Sequence, residues 1–340
     1  MAGLDAFFGE RGVTPEEAAE AERQGTLELL VLERLLQPHP PEFDLATAAA
    51  LGGITADRMH QLWRAMGFPD PDEGEPVTGA DDLEVLKWAA DRVQDDARFD
   101  RTLQLLRVSA SSLARMAEST ADDLAEQLDT MRAAGASSRD LAELTLDQAD
   151  LDQVQRVVFH LFRIQLLAAV RRRFTGDRTG GLQQELAVGF VDLVGFTALS
   201  QELEPDELAA MVSEFEARAS NTVAEEGARL VKTIGDEVMF STPTPAIAVR
   251  IALRLAGDER RGPLTPDVRA GVAFGPVVSR WGDEFGPVVN LASRLVNIAL
   301  PGAVLVSEEL RHELKDDPAL QWRALRARRL KGLGRVPAWV

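Results

Sequence analysis

The chain has no cysteine, which excludes disulfides, thiolate chemistry and cysteine-held zinc. Its four histidines, at 39, 60, 160 and 312, are scattered without metal-ligand spacing. Long apolar runs are also missing. The best, "VVFHLFRIQLLAAV" (157–170), is too short to span a bilayer and contains His160, Arg163 and Gln165. The first residues, "MAGLDAFFGERG", offer no basic region followed by an apolar core, so no signal peptide or membrane partner is expected and cytoplasmic residence is the default. A surplus of positive charge is lacking as well. The net charge is −18, and residues 1–150 account for all of it, with 31 acidic against 13 basic side chains; residues 151–340 hold 24 of each. Binding a phosphate backbone needs clustered Lys and Arg, so nucleic-acid binding by the first half is disfavoured.

What is present suits a soluble globular protein: 340 residues, enough for two domains, with 45% hydrophobic and 27% charged residues. Residues 1–150 read as a helical domain. "TPEE" (14–17) places Thr14 as N-cap, Pro15 at the first helical position and Glu17 three residues after the cap. Leu27, Leu30, Val31 and Leu35 follow at helical spacing. "QPHPPEF" (37–43) is a stiff break, "TADRMHQLWRAMGF" (55–68) a capped helix ending at Gly67, and "PDPDEGEPVTGADD" (69–82) a polar loop. Ala- and Leu-rich helical segments run from about 81 to 148, and no catalytic constellation is visible in this half. Residues 151–174 predict one amphipathic helix of about 35 Å ending in Arg171, Arg172 and Arg173. The Gly-rich "TGDRTGG" (175–181) then marks the hinge, giving a division into 1–150, a linker helix and hinge at 151–182, and a domain at 183–340.

After the hinge the pattern changes. "AVGFVDLVGF" reads as a strand, 205–226 as a helix, 229–241 as a hairpin and 244–257 as a helix. "VRAGVAFG" (268–275) and "VVSRW" (277–281) read as two strands, 287–300 as a helix stopped by Pro301-Gly302, and "AVLVS" (303–307) as a strand. This order of strands and helices predicts an α+β fold, a ferredoxin-like βαββαβ sandwich after an all-α N-terminal domain.

Three stretches carry charges that an apolar element does not need. In "FVDLVGFT" (190–197), Asp192 interrupts a strand just before a glycine turn into a helix. A carboxylate there can bind Mg²⁺ while free N–H groups receive phosphate oxygens, although an Asp in a strand also serves as an edge or capping residue. In "LVKTIGDEVMF" (230–240), Asp236 occupies the Gly-Asp turn, and Lys232 lies in the strand before it. Neighbouring strands would bring Asp192 and Asp236 to one edge, where two carboxylates can hold two metal ions for displacement at phosphorus; a plain hairpin turn is the competing reading. In the helix at 287–300, Asn290 and Arg294 share one face four residues apart, suited to a sugar or base and to phosphate, with Asp283 in the "WGDEFG" loop before it.

Taken together, "FVDLVGFT", "KTIGDEVMF" and "DEFGPVVNLASRL" closely resemble the catalytic domain of class III adenylyl cyclases over about residues 183–340. The resemblance implies that Asp192 and Asp236 bind two ions, Mg²⁺ or Mn²⁺, with the carbonyl of Leu193 as a minor ligand. It implies that Lys232 and Asp283 recognise the adenine of ATP, that Asn290 orients the ribose and that Arg294 stabilises the transition state. Adenine accepts at N1 and donates from its 6-amino group, as this pair requires; guanine presents the opposite pattern. Family members are dimers with composite sites. "GPVVN" stands where many animal members have a more polar loop, as in the compact bacterial subtype, and Lys331 in "RRLKGLGRV" is a candidate phosphate lysine.

An acidic helical half, a linker helix and a C-terminal cyclase domain are similar to the mycobacterial pH-responsive adenylyl cyclases, whose N-terminal domain inhibits. That implies autoinhibition and pH response, for which dense carboxylates and His160, beside Arg156 and Arg163, offer titratable charge. Residues 44–71, "DLATAAALGGITADRMHQLWRAMGFPDP", also resemble a helix-turn-helix and wing of the mercury-resistance-regulator type, with Arg58, His60, Gln61 and Arg64 as the only base-reading candidates. A nucleotide-sensing regulatory or DNA-binding protein is therefore the competing reading. A diguanylate cyclase is the third, and it lacks its Gly-Gly-Asp/Glu hairpin here.

Overall fold

The computed structural model describes residues 3–80, 82, 83, 85, 95–148, 150–175, 183–257 and 266–340. They fall in two compact units, Met1–Arg173 and Phe174–Val340. Most of the predicted hinge, and the stretch of helix expected near residues 86–94, lie outside the described residues.

The described residues of the first unit form helices α1 (Leu4–Glu10), α2 (Pro15–Gln24), α3 (Leu27–Leu36), α4 (Leu45–Gly52), α5 (Ala56–Ala65), α6 (Asp96–Ala133), α7 (Ser138–Gln148) and α8 (Leu151–Thr175). Local chemistry sets several starts. Thr14 accepts from the Glu17 amide at 3.2 Å with Pro15 at the first helical position, and Asp44 and Thr55 cap α4 and α5 in the same way. Leu27, Leu30 and Val31 of α3 pack with Phe7 and Phe8 of α1 and Ala142 of α7. Beside them Glu28 is buried yet satisfied, accepting from Ser138 Oγ at 2.6 Å and from Arg132.

All four base-reading candidates of α5 are engaged within the chain. Arg58 bonds Asp96 at 2.5 Å and lies over the Phe99 ring, His60 and Arg64 both hold Asp70, and Gln61 donates to Asp57. The segment thus fits a helical packing motif. The one-sided burial expected of an amphipathic α8 is not seen: none of its described side chains is buried, and apolar residues such as Val157, Phe159, Phe162, Ile164 and Leu166 lie around its whole circumference rather than along one stripe. His160 lies exposed there, 3.3 Å from Arg163.

The second unit contains β1 (Gln183–Leu193), α9 (Phe196–Leu199), α10 (Pro205–Glu225), β2 (Arg229–Ile234), β3 (Glu237–Thr242), α11 (Pro245–Gly257), β4 (Val268–Arg280), β5 (Asp283–Phe285), α12 (Pro287–Ile298), β6 (Val304–Ser307), α13 (Glu308–Glu313), β7 (Ala324–Leu330) and β8 (Gly334–Trp339). The sheet order is β2-β3-β1-β4-β6-β8-β7, with β5 paired to β4. The first four strands, in order 2-3-1-4 with helices after β1 and β3, make the predicted βαββαβ unit. One strand assignment changes. Residues 268–280 form a single strand, because Gly275 takes φ 147° and carries the chain past Pro276 without ending the pairing with β1.

Alternation divides the sheet into two faces. On one, Ala187, Val191, Val238, Phe240, Ala270 and Val272 meet Phe215 and Ala219 of α10 and Ile251 and Leu255 of α11. On the other, Val188, Phe190, Met239 and Ala273 meet Val288, Ala292 and Val296 of α12. This second approach is tight. A Cβ on Gly271 would lie 2.3 Å from the Val296 nitrogen and 2.5 Å from the Ala292 oxygen.

Candidate active site

Asp192 follows Val188 and Phe190 on the alternating side of β1, so it lies on the α12 face at the strand's end. The register sets it between Glu237 of β3 and Arg269 of β4. Asp236 sits in the turn between the paired residues Ile234 and Glu237, where Gly235 takes φ 61°. Its carbonyl accepts from the Leu193 amide at 3.1 Å, fixing the hairpin tip against the end of β1. The two predicted carboxylates therefore come together.

Their electrostatics are crowded. Asp192 is 8% exposed. Burial pushes its carboxyl up; Arg269, bonding it through Nε at 2.7 Å and Nη2 at 2.5 Å, pulls it down, and Asp236 pushes it up again. Glu237 is pushed up to about 7, first by burial, then by Asp192 and Asp236, against Arg269. A divalent cation would relieve this repulsion. No three His, Cys, Asp or Glu side chains form a metal-holding group among the described residues. Two carboxylates alone suit instead a hard divalent cation whose remaining positions are filled by other oxygen groups.

Lys232 reaches the same face through an irregularity. Leu230 pairs with Phe240, but Lys232 pairs with Met239, so Val231 is an extra residue on β2. Strict alternation would leave Lys232 on the side of Leu230; the bulge turns it to the α12 side. There its Nζ donates to Asp283 Oδ2 at 2.6 Å. Asp283 begins β5 after a two-residue turn, and its Oδ1 accepts from the Glu284 amide at 2.8 Å. The second predicted pair is thus in contact.

Asn290 and Arg294 stand on the exposed side of α12, opposite Ala292 and Val296. Neither side chain has a hydrogen-bond or ion-pair partner among the described residues. The end of their helix approaches the carboxylates, since Arg269 Nη1 donates to the Asn297 carbonyl at 3.4 Å. Leu193 buries its side chain among α10- and α11-face residues. Lys331 lies exposed in the turn between β7 and β8 and is not brought to the other site residues by any contact described.

Sequence reasoning missed Arg269, Glu237, Arg229 and Glu284. Arg269 had a signal: it interrupts an apolar strand, as Asp192 does. Glu284 is 3% exposed and accepts from Ser241 at 2.7 Å and Arg229 at 3.2 Å. Burial pushes its carboxyl up, while Ser241 and Arg229 pull it down. Its place opposite Ser279 on a three-residue strand cannot be read from composition.

Residues 181–340 match the family described as Adenylate and Guanylate cyclase catalytic domain. An adenylate cyclase of Streptomyces coelicolor is 35% identical, over 92% of this chain and 83% of its own. The pH-sensitive adenylate cyclase MT1302 of Mycobacterium tuberculosis is 31% identical over 98% of this chain and 89% of its own, so the likeness includes the helical half. Among solved structures, the adenylyl cyclase CyaB from P. aeruginosa aligns with 46% of this chain and 93% of its own at 24% identity and a TM-score of 0.42. No helix among the described residues is long and apolar enough to cross a membrane. With long-range identity above 30% and the carboxylate and Lys–Asp pairs assembled on one face of the sheet, the chain belongs to the class III adenylate and guanylate cyclase family.

Proposed function

We propose that the protein converts ATP to 3′,5′-cyclic AMP and pyrophosphate, in a homodimer whose sites draw residues from both chains. The observation that carries the substrate choice is Lys232 Nζ held 2.6 Å from Asp283 Oδ2. Lys232 donates to adenine N1 and Asp283 accepts from the 6-amino group, while guanine would leave both unpaired at about 1–3 kcal/mol each.

Asp192 and Asp236, with the Leu193 carbonyl, would hold two Mg²⁺ or Mn²⁺ ions. Those ions would supply a lowered pKa for the attacking hydroxyl and charge neutralisation on the phosphates. The ribose 3′-oxygen attacks the α-phosphorus, its proton passes to water, and pyrophosphate departs with the electrons of the broken bond. Asn290 orients the ribose, and Arg294 meets charge on the α-phosphoryl oxygens and leaving group. The exposure of Asn290 and Arg294, which have no side-chain partner among the described residues, supports their use in a site completed by a second copy.

The helical half regulates the cyclase. The adenylate cyclase relative named pH-sensitive, alike over nearly the whole chain, supports a pH response here, and autoinhibition by the helical half is part of the same proposal. The test is product identification with ATP or GTP and Mg²⁺ or Mn²⁺, repeated with Asp192→Ala and Lys232→Ala. Cyclic AMP from the native chain, lost in Asp192→Ala, is expected; no cyclic AMP under any of these conditions would sink the proposal.

A further inference from the structure

Glu284 is a charge buried where the base-reading pair needs no further charge. It follows Asp283 on β5, and the two side chains point to opposite sides of the strand. Asp283 faces Lys232. Glu284 turns inward, with Oε1 accepting from Ser241 Oγ at 2.7 Å and from Arg229 Nη1 at 3.2 Å. Its Oε2 is buried with no hydrogen-bond partner among the described residues. The second amino group of Arg229 donates to the Gly282 carbonyl. One guanidinium on β2 therefore grips both the turn before Asp283 and the residue after it. Ser241 stands directly opposite Arg229 in the β2–β3 register and completes the grip.

The gripped turn is strained. Trp281 has φ 56° and Gly282 φ 80°, the left-handed pair that a two-residue hairpin requires. Glycine adopts this freely and a bulky residue does not. The Arg280 guanidinium over the Trp281 ring, 5.4 Å from its centroid, and the Arg229 bond hold it there.

If fastening were the only need, apolar residues would pin β5 to the sheet as well as a buried ion pair, which gains little net stability. What a directed pair adds is register. A slip of one residue would exchange the sides of Asp283 and Glu284, taking Asp283 away from Lys232. Fixed in register, Asp283 is held on both oxygens, by the Glu284 amide at 2.8 Å and by Lys232 at 2.6 Å.

We propose that Arg229, Ser241 and Glu284 are positioning residues for purine selectivity, bracing β5 in the one register in which Asp283 meets Lys232. This rests on the reading that Lys232 and Asp283 recognise adenine. With the brace intact, the acceptor and donor are fixed and a guanine cannot be admitted by shifting β5. With it loosened, the pair drifts apart and selectivity falls while the carboxylates and α12 stay in place.

The test measures kcat/KM for cyclic AMP from ATP and cyclic GMP from GTP, together with Tm, on the full chain with Mn²⁺. Removing both charges in Arg229→Met/Glu284→Leu leaves no orphaned ion, so the fold should survive. The ATP-to-GTP ratio of kcat/KM should fall about tenfold or more, mainly through a higher KM for ATP, with kcat at saturating ATP kept within about threefold. Arg229→Lys, which keeps one donor for Glu284, should restore part of the ratio. Should the double variant not fold, Glu284→Gln and Arg229→Lys alone must still lower the ratio. Lys232→Ala is the reference. If it lowers the ratio and folded brace variants do not, or if they lose both activities equally, the brace is wrong and the base-reading assignment stands. If Lys232→Ala leaves the ratio unchanged, the base-reading assignment falls and the brace with it.

Discussion

Gly271→Ala adds one methyl group 30 or more residues away in sequence from either predicted carboxylate, yet it should disable the enzyme. The position is central, paired with Phe190 on β1 and Leu305 on β6. The new Cβ would lie 2.3 Å from the Val296 nitrogen, 2.5 Å from the Ala292 oxygen and 2.9 Å from the Leu295 carbonyl carbon. All three are backbone atoms of α12, so no rotamer change relieves the clash. Ordinary contact near 3.5 Å demands that the helix retreat by about 1 Å. Overpacking of this kind costs about 1–3 kcal/mol or more, a fall in Tm of about 2–12 °C for a unit of this size. The same helix carries Asn290 and Arg294, and a 1 Å misplacement of groups that orient a reacting centre costs about 10²-fold in rate. Melting curves followed by circular dichroism and steady-state cyclic AMP kinetics read both effects. The expected result is a folded protein with a lower Tm and a kcat reduced far more than its affinity for ATP. Wild-type Tm and kcat together would refute the claim that helix-to-sheet closeness at Gly271 places the α12 residues.

Other outcomes follow from the same geometry. Glu237, raised from 4.5 to about 7, contributes stability that is fully present below pH 4.5 and lost as pH rises through about 7. Without divalent metal, Glu237→Gln should remove that loss, about 1–2 kcal/mol after solvent screening, when melts at pH 5 and pH 8 are compared. Mn²⁺ should raise the native Tm more at pH 8 than at pH 5, and Asp192→Asn should abolish the rise; a rise independent of Asp192 would move the metal elsewhere. Lys232→Ala and Asp236→Ala chains should each be inactive, but randomly mixed dimers should recover about a quarter of native activity, from one intact site per heterodimer. No recovery, with heterodimers demonstrated, would reject composite sites. If the helical half carries a pH response, the full chain and the 183–340 fragment should differ in pH profile, and matching profiles would reject it.

Much of this candidate site was legible because its residues break the pattern of their elements. Asp192 in an apolar strand and Asp236 in a Gly-Asp turn announce themselves against the period-two background. The order of the first four strands was also accessible, since each shows an extended apolar stretch separated from the next by a helical segment or a tight turn. Three things were not. The bulge at Val231 leaves no trace in the residue types of β2, yet it decides which face Lys232 occupies. The continuity of β4 through Gly275-Pro276 was hidden because Gly-Pro usually ends a strand. Glu284 looked like a loop carboxylate, since its burial depends on Arg229 and Ser241, 55 and 43 residues earlier in the chain. Periodicity reports what one element does alone; these three depend on which neighbour it meets.

The hairpin "LVKTIGDEVMF" shows why that distinction matters for chemistry. Four extended residues set Lys232 and Asp236 up to about 13 Å apart, so neither neutralises the other. Each is instead answered by a different element. Asp236 is drawn by its own carbonyl onto the end of β1, beside Asp192 and Arg269. Lys232, turned by the bulge, finds Asp283 at the tip of a separate hairpin. Under the proposed roles, metal holding and base reading would be anchored to different elements while sharing one strand pair. Changes that retune β5 need not disturb the carboxylates, so on the proposed assignment nucleotide choice could vary above a fixed carboxylate pair. The converse constraint is equally physical: any substitution that removes the bulge returns Lys232 to the side of Leu230, where a cation would be buried against α10 and α11 without a partner.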